Sequence, residues 1–214
     1  MTRHYSLFDK LLIEIEHAAK TIISKSTTSQ RQNPSDSIDN KTQLTDKEKQ
    51  QASSLMRVDH TGEVCAQALY RGQALVTKNQ TTRQHLWHAA DEENDHLAWC
   101  QQRLDELDSR RSYLNPVWYS SSFLIGATAG LLSDKLSYSF VVETENQVMK
   151  HLDEHIDRLP KGDEKSKAIL KQMRVDEEAH ADHAQVKGGS RLPLPIRLIM
   201  KLQSKVMTST AYYF

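Results

Sequence analysis

The sequence is poor in the residues that mark several classes of protein. Seven glycines and five prolines in 214 residues are too few for a turn-rich all-β chain. Two cysteines, Cys65 and Cys100, exclude a disulfide scaffold and favour a reducing compartment. Because 28 basic residues balance 28 acidic ones, we expect no nucleic-acid partner. The first ten residues lack a long apolar core, so we expect no secretory signal.

Helical periodicity organises most of what is present. Residues 1–23 predict an N-terminal amphipathic helix, and residues 24–44, which are polar, predict a flexible linker. The capping-box sequence Thr45–Glu48 opens the main domain, residues 45–214. In that domain we predict four long helices, at about 45–78, 83–110, 136–159 and 164–186. The helix at the N-terminus is predicted because four apolar residues fall near helical spacing: Leu7, Leu11, Ile15 and Ile22.

Two segments differ from the rest in charge. Residues 112–133 carry no charge, yet Ser, Gly and Thr interrupt their apolar residues too often for a membrane span. No acidic residue follows Asp182, and Arg197, Lys201 and Lys205 form a stripe of cations four residues apart. That stripe, beside apolar positions, favours either a helix lying in a membrane interface or a docked C-terminal helix with solvated cations.

Histidine is abundant, with ten residues, and the motif Glu-x-x-His occurs three times. Residues three apart project from nearly the same face of a helix, so the two side chains can bind one metal ion. The pairs Glu93/His96 and Glu177/His180 lie in long predicted helices. The third pair, Glu14/His17, has no helix with a partner glutamate before it, and we interpret it as a chance surface match.

Each of the two central motifs follows a helix with a further glutamate. Glu63 precedes Glu93 by 30 residues and Glu145 precedes Glu177 by 32, so the arrangement repeats with an offset of 82 to 84 residues. Up–down helices would bring the six side chains to one level, as in ferritin-like dinuclear carboxylate bundles. The predicted fold is therefore all-α, a ferritin-like four-helix bundle with an additional interfacial or C-terminal helix and an N-terminal helical extension.

The predicted ligand set suits iron or manganese better than structural zinc, which prefers thiolates and closed tetrahedra. The alternative is that exposed acids and surface histidines repeat by accident. Glu143 competes with Glu145, because the two point in nearly opposite directions on a helix and only one can face the metals. Both cysteines are interpreted as small core residues. A packed or solvated role is favoured over a supporting one for two more histidines, His60 and His151.

The motifs resemble those of the demethoxyubiquinone hydroxylases of ubiquinone biosynthesis. Similar segments are RVDHTGEVCAQALYRGQ (57–73), DEENDHLAWC (91–100), TENQVMKHLDEH (144–155) and RVDEEAHADHA (174–184). The resemblance spans about residues 45–214 and implies two iron ions per chain. Glu93 and Glu177 would bridge both ions. The remaining ligands would be Glu63 and His96 for one ion, and Glu145, not Glu143, and His180 for the other.

The resemblance also implies an activity. It is that of a monooxygenase that uses O₂ to hydroxylate the ring of a polyprenylated methoxy-methyl-benzoquinol, with an external reductant that the sequence does not identify. Because the prenyl tail stays in a bilayer, we expect a peripheral location on the cytoplasmic face of the cell membrane. Residues 118–132 and 196–206 would form the apolar access surface. Other ubiquinone-biosynthesis proteins are candidate partners.

A different class of protein would use the same six ligands. A ferritin-like iron-storage or iron-detoxifying protein needs the dinuclear site but no apolar entry. The uncharged segment and the basic terminal helix argue against this alternative.

Overall fold

The computed structural model describes residues 6–23, 29–39 and 43–214, and these residues form seven α-helices and no strand. Helices α2 and α3 form one antiparallel pair and α5 and α6 another, and the two pairs make the bundle. Helices α1, α4 and α7 pack around α2 from outside. The all-α, ferritin-like expectation is confirmed. The helices are α1 (Leu7–Ile23), α2 (Asp46–Val76), α3 (Gln80–Glu106), α4 (Asn115–Leu132), α5 (Asp134–Arg158), α6 (Glu164–Val186) and α7 (Leu194–Tyr213).

Side-chain caps determine where the bundle helices begin. The capping box at Thr45 is present, with the Glu48 amide donating to the Thr45 hydroxyl. Asn79 accepts hydrogen bonds from two amides of the first turn of α3, so that helix starts a few residues earlier than predicted. Ser133 caps the start of α5 and is also the C-terminal cap of α4, so no loop separates these two helices. Asp163 caps α6 in the same way.

Helix α2 is buried almost all round because it lies at the centre of the molecule. Several of its polar side chains form hydrogen bonds with neighbouring elements. Arg57 donates to the backbone carbonyls of Arg110 and Tyr212, each at 2.9 Å. Gln73 donates to the carbonyl of Ser137 at 2.9 Å. These bonds satisfy buried polar groups that would otherwise destabilise the core.

The uncharged segment, for which no helix was predicted, forms α4. It packs closely against α2 through glycines: a Cβ on Gly126 would lie 2.1 Å from the Leu69 carbonyl oxygen, and one on Gly72 would lie 2.2 Å from that of Phe123. The small residues therefore serve helix–helix contact and not turns. Because apolar and small residues occur on every face of α4, the segment has no clear helical period.

The N-terminal helix is present, but it buries only part of the predicted apolar set. Ile22 packs against the core, whereas Leu11 and Ile15 are exposed and Glu14 is buried. Arg71 of α2 donates two hydrogen bonds to the Glu14 carboxylate, at 2.7 and 3.1 Å. The interpretation of Glu14/His17 as a surface match was therefore wrong for Glu14, which holds α1 against the bundle.

The predicted linker is in part packed on the bundle. Residues 29–39 lie along α3, where Asn33 donates to the Gln102 side chain at 2.9 Å and Gln102 donates to Asp36 at 3.3 Å. The rest of the linker includes residues 24–28 and 40–42, which lie outside the described part of the chain. At the other end of the chain, α7 is longer than the predicted helix and continues to Tyr213.

Candidate metal centre

The six side chains singled out from the sequence meet in the middle of the bundle. Helices α2 and α5 contribute one glutamate each, and α3 and α6 contribute one Glu-x-x-His pair each. All are buried except His180, whose side chain is 11% exposed. The six residues are Glu63, Glu93, His96, Glu145, Glu177 and His180. Glu143 points elsewhere and accepts a hydrogen bond from Arg197 of α7 at 3.1 Å.

The donor atoms fall into two overlapping groups. One consists of Glu63, Glu93, His96 and Glu177, and the other of Glu93, Glu145, Glu177 and His180. Within each group the donor atoms lie within 4.8 Å of one another. Glu93 and Glu177 belong to both groups. This is the arrangement required for two metal positions joined by two shared carboxylates, although the binding of metal by these residues stays a prediction.

Each histidine presents Nδ1 to the cluster and Nε2 to an acidic residue outside it. His96 Nδ1 lies 3.0 Å from Glu93 and 3.3 Å from Glu63, while its Nε2 donates to Asp176 at 3.0 Å. His180 Nδ1 lies 3.0 Å from Glu177, and its Nε2 donates to Glu92 at 3.1 Å. A carboxylate on the outer nitrogen fixes the ring and leaves the inner nitrogen as the metal donor.

The sequence interpretation missed these two outer carboxylates. Glu92 and Asp176 each come directly before the glutamate of a Glu-x-x-His motif, and they are 84 residues apart like the motifs themselves. The 84-residue repeat of the motifs could therefore have identified both outer carboxylates. Nothing in the sequence pointed to Arg31, whose Nη2 forms an ion pair with Asp176 at 2.9 Å and whose Nε donates to Asp95 at 2.7 Å.

Protons have to balance the buried charge where no metal does. Burial, and then the charges of Glu93 and Glu177, raise the pKa of Glu63 well above its usual value. Burial and the charge of Glu177 do the same to the pKa of Glu145. Burial lowers the pKa of His180, but hydrogen bonds to Glu177 and Glu92 outweigh that effect and raise it to about 12. The cluster thus attracts positive charge strongly.

Unpartnered oxygens show that the donor set fits metal ions. Both carboxylate oxygens of Glu145 and one each of Glu63, Glu93 and Glu177 are buried with no hydrogen-bond partner. The Glu177 oxygen lies 3.1 Å from His96 Nδ1, but without hydrogen-bond geometry. Unpaired buried carboxylate oxygens are costly, so their concentration at one point indicates a site for cations. A cluster of four carboxylates and two imidazoles matches two divalent ions in charge.

An apolar cleft reaches the cluster from one side. It lies between α2, α4, α5 and α7, has a volume of about 110 Å³, and includes Glu63 in its wall. Apolar side chains make up much of the rest of the wall: Leu69, Ile125, Phe140, Val148, Met200 and Met207. The cleft thus leads an apolar molecule to a carboxylate that belongs to only one of the two donor groups.

The remaining candidates have structural roles. His60 is fully buried, and burial lowers its pKa to about 3, so it is a neutral packed residue as expected. His151 lies 2.9 Å from the Ser204 hydroxyl of α7. Cys100 lies in the core and Cys65 in the cleft wall. His155 donates to Asp59 at 2.6 Å in a buried pair that was not anticipated.

The fold and the donor set together define the class: a ferritin-like bundle with a buried carboxylate–histidine cluster that can hold metal. Residues 50–211 match the family described as Ubiquinone biosynthesis protein COQ7. A 3-demethoxyubiquinol 3-hydroxylase of Francisella philomiragia subsp. philomiragia is 55% identical over 212 residues, which cover 99% of this chain and 100% of that protein. The protein of the same name from Francisella tularensis subsp. novicida is 54% identical with equal coverage. The chain belongs to the COQ7 family of ubiquinone biosynthesis proteins.

Proposed function

We propose that this protein is a 3-demethoxyubiquinol 3-hydroxylase, an enzyme that uses O₂ and two iron ions to hydroxylate the ring of a polyprenylated benzoquinol. One oxygen atom forms the new C–OH group and the other leaves as water. The balance requires two electrons and two protons, which an external reductant supplies. The relatives named above support the reaction, and the carboxylate–histidine cluster supports the metal.

The observation that carries this proposal is the position of the cluster at the apolar cleft. Glu63 belongs to one donor group and also lines the cleft, so a ring in the cleft would lie beside that metal position. A site for storing iron needs no such apolar access, and the iron-storage alternative is not favoured. Glu63 thus connects the apolar cleft, which suits the substrate, with the candidate metal site.

The protein's own residues would bind the metal ions, orient the substrate ring and exclude water. Glu93 and Glu177 would join the two metal positions, with Glu63 and His96 completing one and Glu145 and His180 the other. When bound, two ferrous ions would supply the electrons and the oxidising power that activate O₂. The apolar wall of the cleft orients the ring and keeps it dry. The outer carboxylates Asp176 and Glu92 hold the two imidazoles in place.

Access to a prenylated substrate supports a further part of the proposal, peripheral binding to the cytoplasmic face of the cell membrane. None of the described helices has an apolar stretch that would cross a bilayer. The two outer helices of the cleft, α4 and α7, carry exposed apolar side chains, including Leu124, Leu131, Leu198, Ile199 and Leu202. Lys201 and Lys205 are exposed on α7, whereas Arg197 pairs with Glu143. An apolar face with cations beside it suits an anionic lipid surface.

Two experiments test the proposal. Anaerobically reduced protein with two irons per chain, given demethoxyubiquinol and ¹⁸O₂, should yield a product with one added ¹⁸O by mass spectrometry. Unchanged quinol, with many irons taken up per chain, would contradict it. For membrane binding, a variant with Ile199, Leu202 and Val206 made polar should lose liposome recovery in flotation. The matched control changes Val175 and Val186, exposed on α6, and should float like the wild type; equal recovery of both variants would exclude α7 as the membrane-binding helix.

A further inference from the structure

The described N-terminal segment 29–39 crosses the bundle next to one metal position only. It lies along α3, and its Arg31 reaches across the seam between α3 and α6 to Asp176. Those two helices carry the two Glu-x-x-His motifs and contact each other less extensively than they contact their own antiparallel partners. A short segment on this seam can therefore affect the ligands directly beneath it.

The contacts of this segment converge on a single carboxylate of α3. Asp95 accepts hydrogen bonds from the Ser29 hydroxyl at 2.9 Å, the Gln30 amide at 2.6 Å and Arg31 Nε at 2.7 Å. The guanidinium also lies 4.8 Å above the ring of Trp99. These bonds fix the Arg31 side chain from several directions although it stays 40% exposed.

The fixed guanidinium then fixes a ligand support. Arg31 Nη2 forms an ion pair with Asp176 Oδ2 at 2.9 Å, and the same oxygen accepts from His96 Nε2 at 3.0 Å. Arg31 Nη2 itself lies 3.4 Å from that histidine nitrogen. A planar guanidinium that bridges two carboxylates sets the position of both. His96 is thus held by a chain of contacts that begins outside the bundle.

The other histidine has no comparable support within the described residues. His180 donates to Glu92, whose side chain is 41% exposed and whose one other ion-pair partner in that part of the chain is His88. His88 is itself 74% exposed. The two halves of the cluster repeat in their ligands but differ in what holds those ligands. The segment 29–39 is the main source of the difference.

We propose that Arg31 is a positioning residue: segment 29–39 locks Asp176 against His96 and thereby selectively holds the metal ion on the His96 side. This inference rests on the proposed metal site. A mere charge effect has the opposite sign, because removing a cation beside a metal site strengthens the binding of metal ions. A loss of retention on removing Arg31 therefore identifies positioning.

The test compares Arg31→Gln, Arg31→Lys and wild-type full-length protein loaded anaerobically with two ⁵⁷Fe²⁺ per chain. Arg174→Gln is the matched control, because Arg174 also bridges two carboxylates, Asp153 and Glu178, but on the outer surface. In Arg31→Gln, one of the two ions should pass to a ferrous chelator about 10- to 100-fold faster, the size of effect typical of outer ligand supports. Its Mössbauer doublet should change while the other doublet stays as in the wild type. Arg31→Lys should restore part of both properties.

Several outcomes would overturn the inference. Three of them concern the rate of iron release from Arg31→Gln: both ions released equally faster, neither released faster, or slower release. The fourth is faster release with an unchanged Mössbauer spectrum at full occupancy, which would mean that the segment only covers the site. A wild-type protein that binds fewer than two irons per chain would instead contradict the proposed function. Metal-free Arg31→Gln should melt like metal-free Arg174→Gln, which separates ligand positioning from a general loss of folding.

Discussion

The two sides of the candidate metal centre are built from opposite kinds of side chain. On the α3–α6 side, ion pairs that involve Arg31, Asp95 and Asp176 close the seam. On the α2–α5 side, apolar residues of four helices form a cleft that reaches Glu63. Polar contacts hold geometry tightly, and apolar walls admit an apolar ring without competing ligands. The comparison shows how one bundle combines fixed ligands with an entry for substrate.

The largest effect is expected from a residue that serves both metal positions. Glu177→Ala removes a carboxylate common to both donor groups, so both ions should be lost and hydroxylation should fall on the order of 10³-fold or more. Iron analysis and product mass spectrometry measure this. The neighbouring exposed carboxylate provides a control, since Glu178→Ala should retain both irons. A Glu177→Ala protein with full iron content and normal turnover would contradict the site.

Blocking the cleft should impair substrate entry without affecting the metal ligands, which the ion pairs on the α3–α6 side hold in place. Ile125→Trp fills much of a cleft of about 110 Å³ and displaces the quinol ring, so kcat/KM should fall about 10- to 100-fold. Iron content should stay at the wild-type value, because Ile125 is in neither donor group. Steady-state kinetics with a long-tailed quinol measure the change. Val175→Trp, on the exposed face of α6, is the control, and equal kinetics for both variants would exclude this cleft as the entry.

Much of the polar side was predictable, and the cleft side was less so. The repeated Glu-x-x-His pairs and their preceding glutamates predicted the residues that meet, because helical spacing fixes which side chains share a face. Arg31 was not predictable, since a contact between residues 31 and 176 depends on tertiary packing and has no sequence period. Helix α4 was missed because its segment lacks the alternation of polar and apolar residues that marks a helix. The buried role of Glu14 depends on Arg71, 57 residues away.

A smaller effect should test how firmly α4 is held at the cleft. Gly126→Ala places a methyl group 2.1 Å from the Leu69 carbonyl oxygen, so it should destabilise the fold by about 1–3 kcal/mol. Gly62→Ala is the matched change in α2, where no atom beyond the adjacent residues and the backbone of the same helix lies within 4 Å of the new Cβ. It should stabilise the fold by about 0.5–1 kcal/mol through helix propensity. Urea denaturation measures both, and equal values would mean that α4 does not require the close approach.

The smallest expected effect is an opposite response to pH of the metal-free and iron-loaded proteins. The raised pKa values of Glu63 and Glu145 mean that the folded metal-free protein binds more protons than the unfolded chain, so its stability falls as pH rises above 4.5, the ordinary pKa of a glutamate. The stabilisation from His180 is complete below 6.5, the ordinary pKa of a histidine, and is lost as pH rises towards about 12. Both contributions have the same sign between about pH 6 and 8.5.

Metal binding reverses this trend, because protons compete with metal ions for the same donors. The melting temperature should therefore decrease by a few degrees from about pH 6 to 8.5 without metal and increase over the same range with ferrous iron. Anaerobic calorimetry measures both slopes. Parallel slopes would show that the cluster does not exchange protons for metal.

Ser133 connects α4 and α5 directly, which links the movements of these two helices. It ends α4 and starts α5, so the two helices meet at a corner with no slack chain between them. A shift of α4 would therefore move the first turn of α5, and Glu145 lies about three turns further along. The position of the outer helix of the cleft and the position of one carboxylate of the cluster are thus coupled through a single residue.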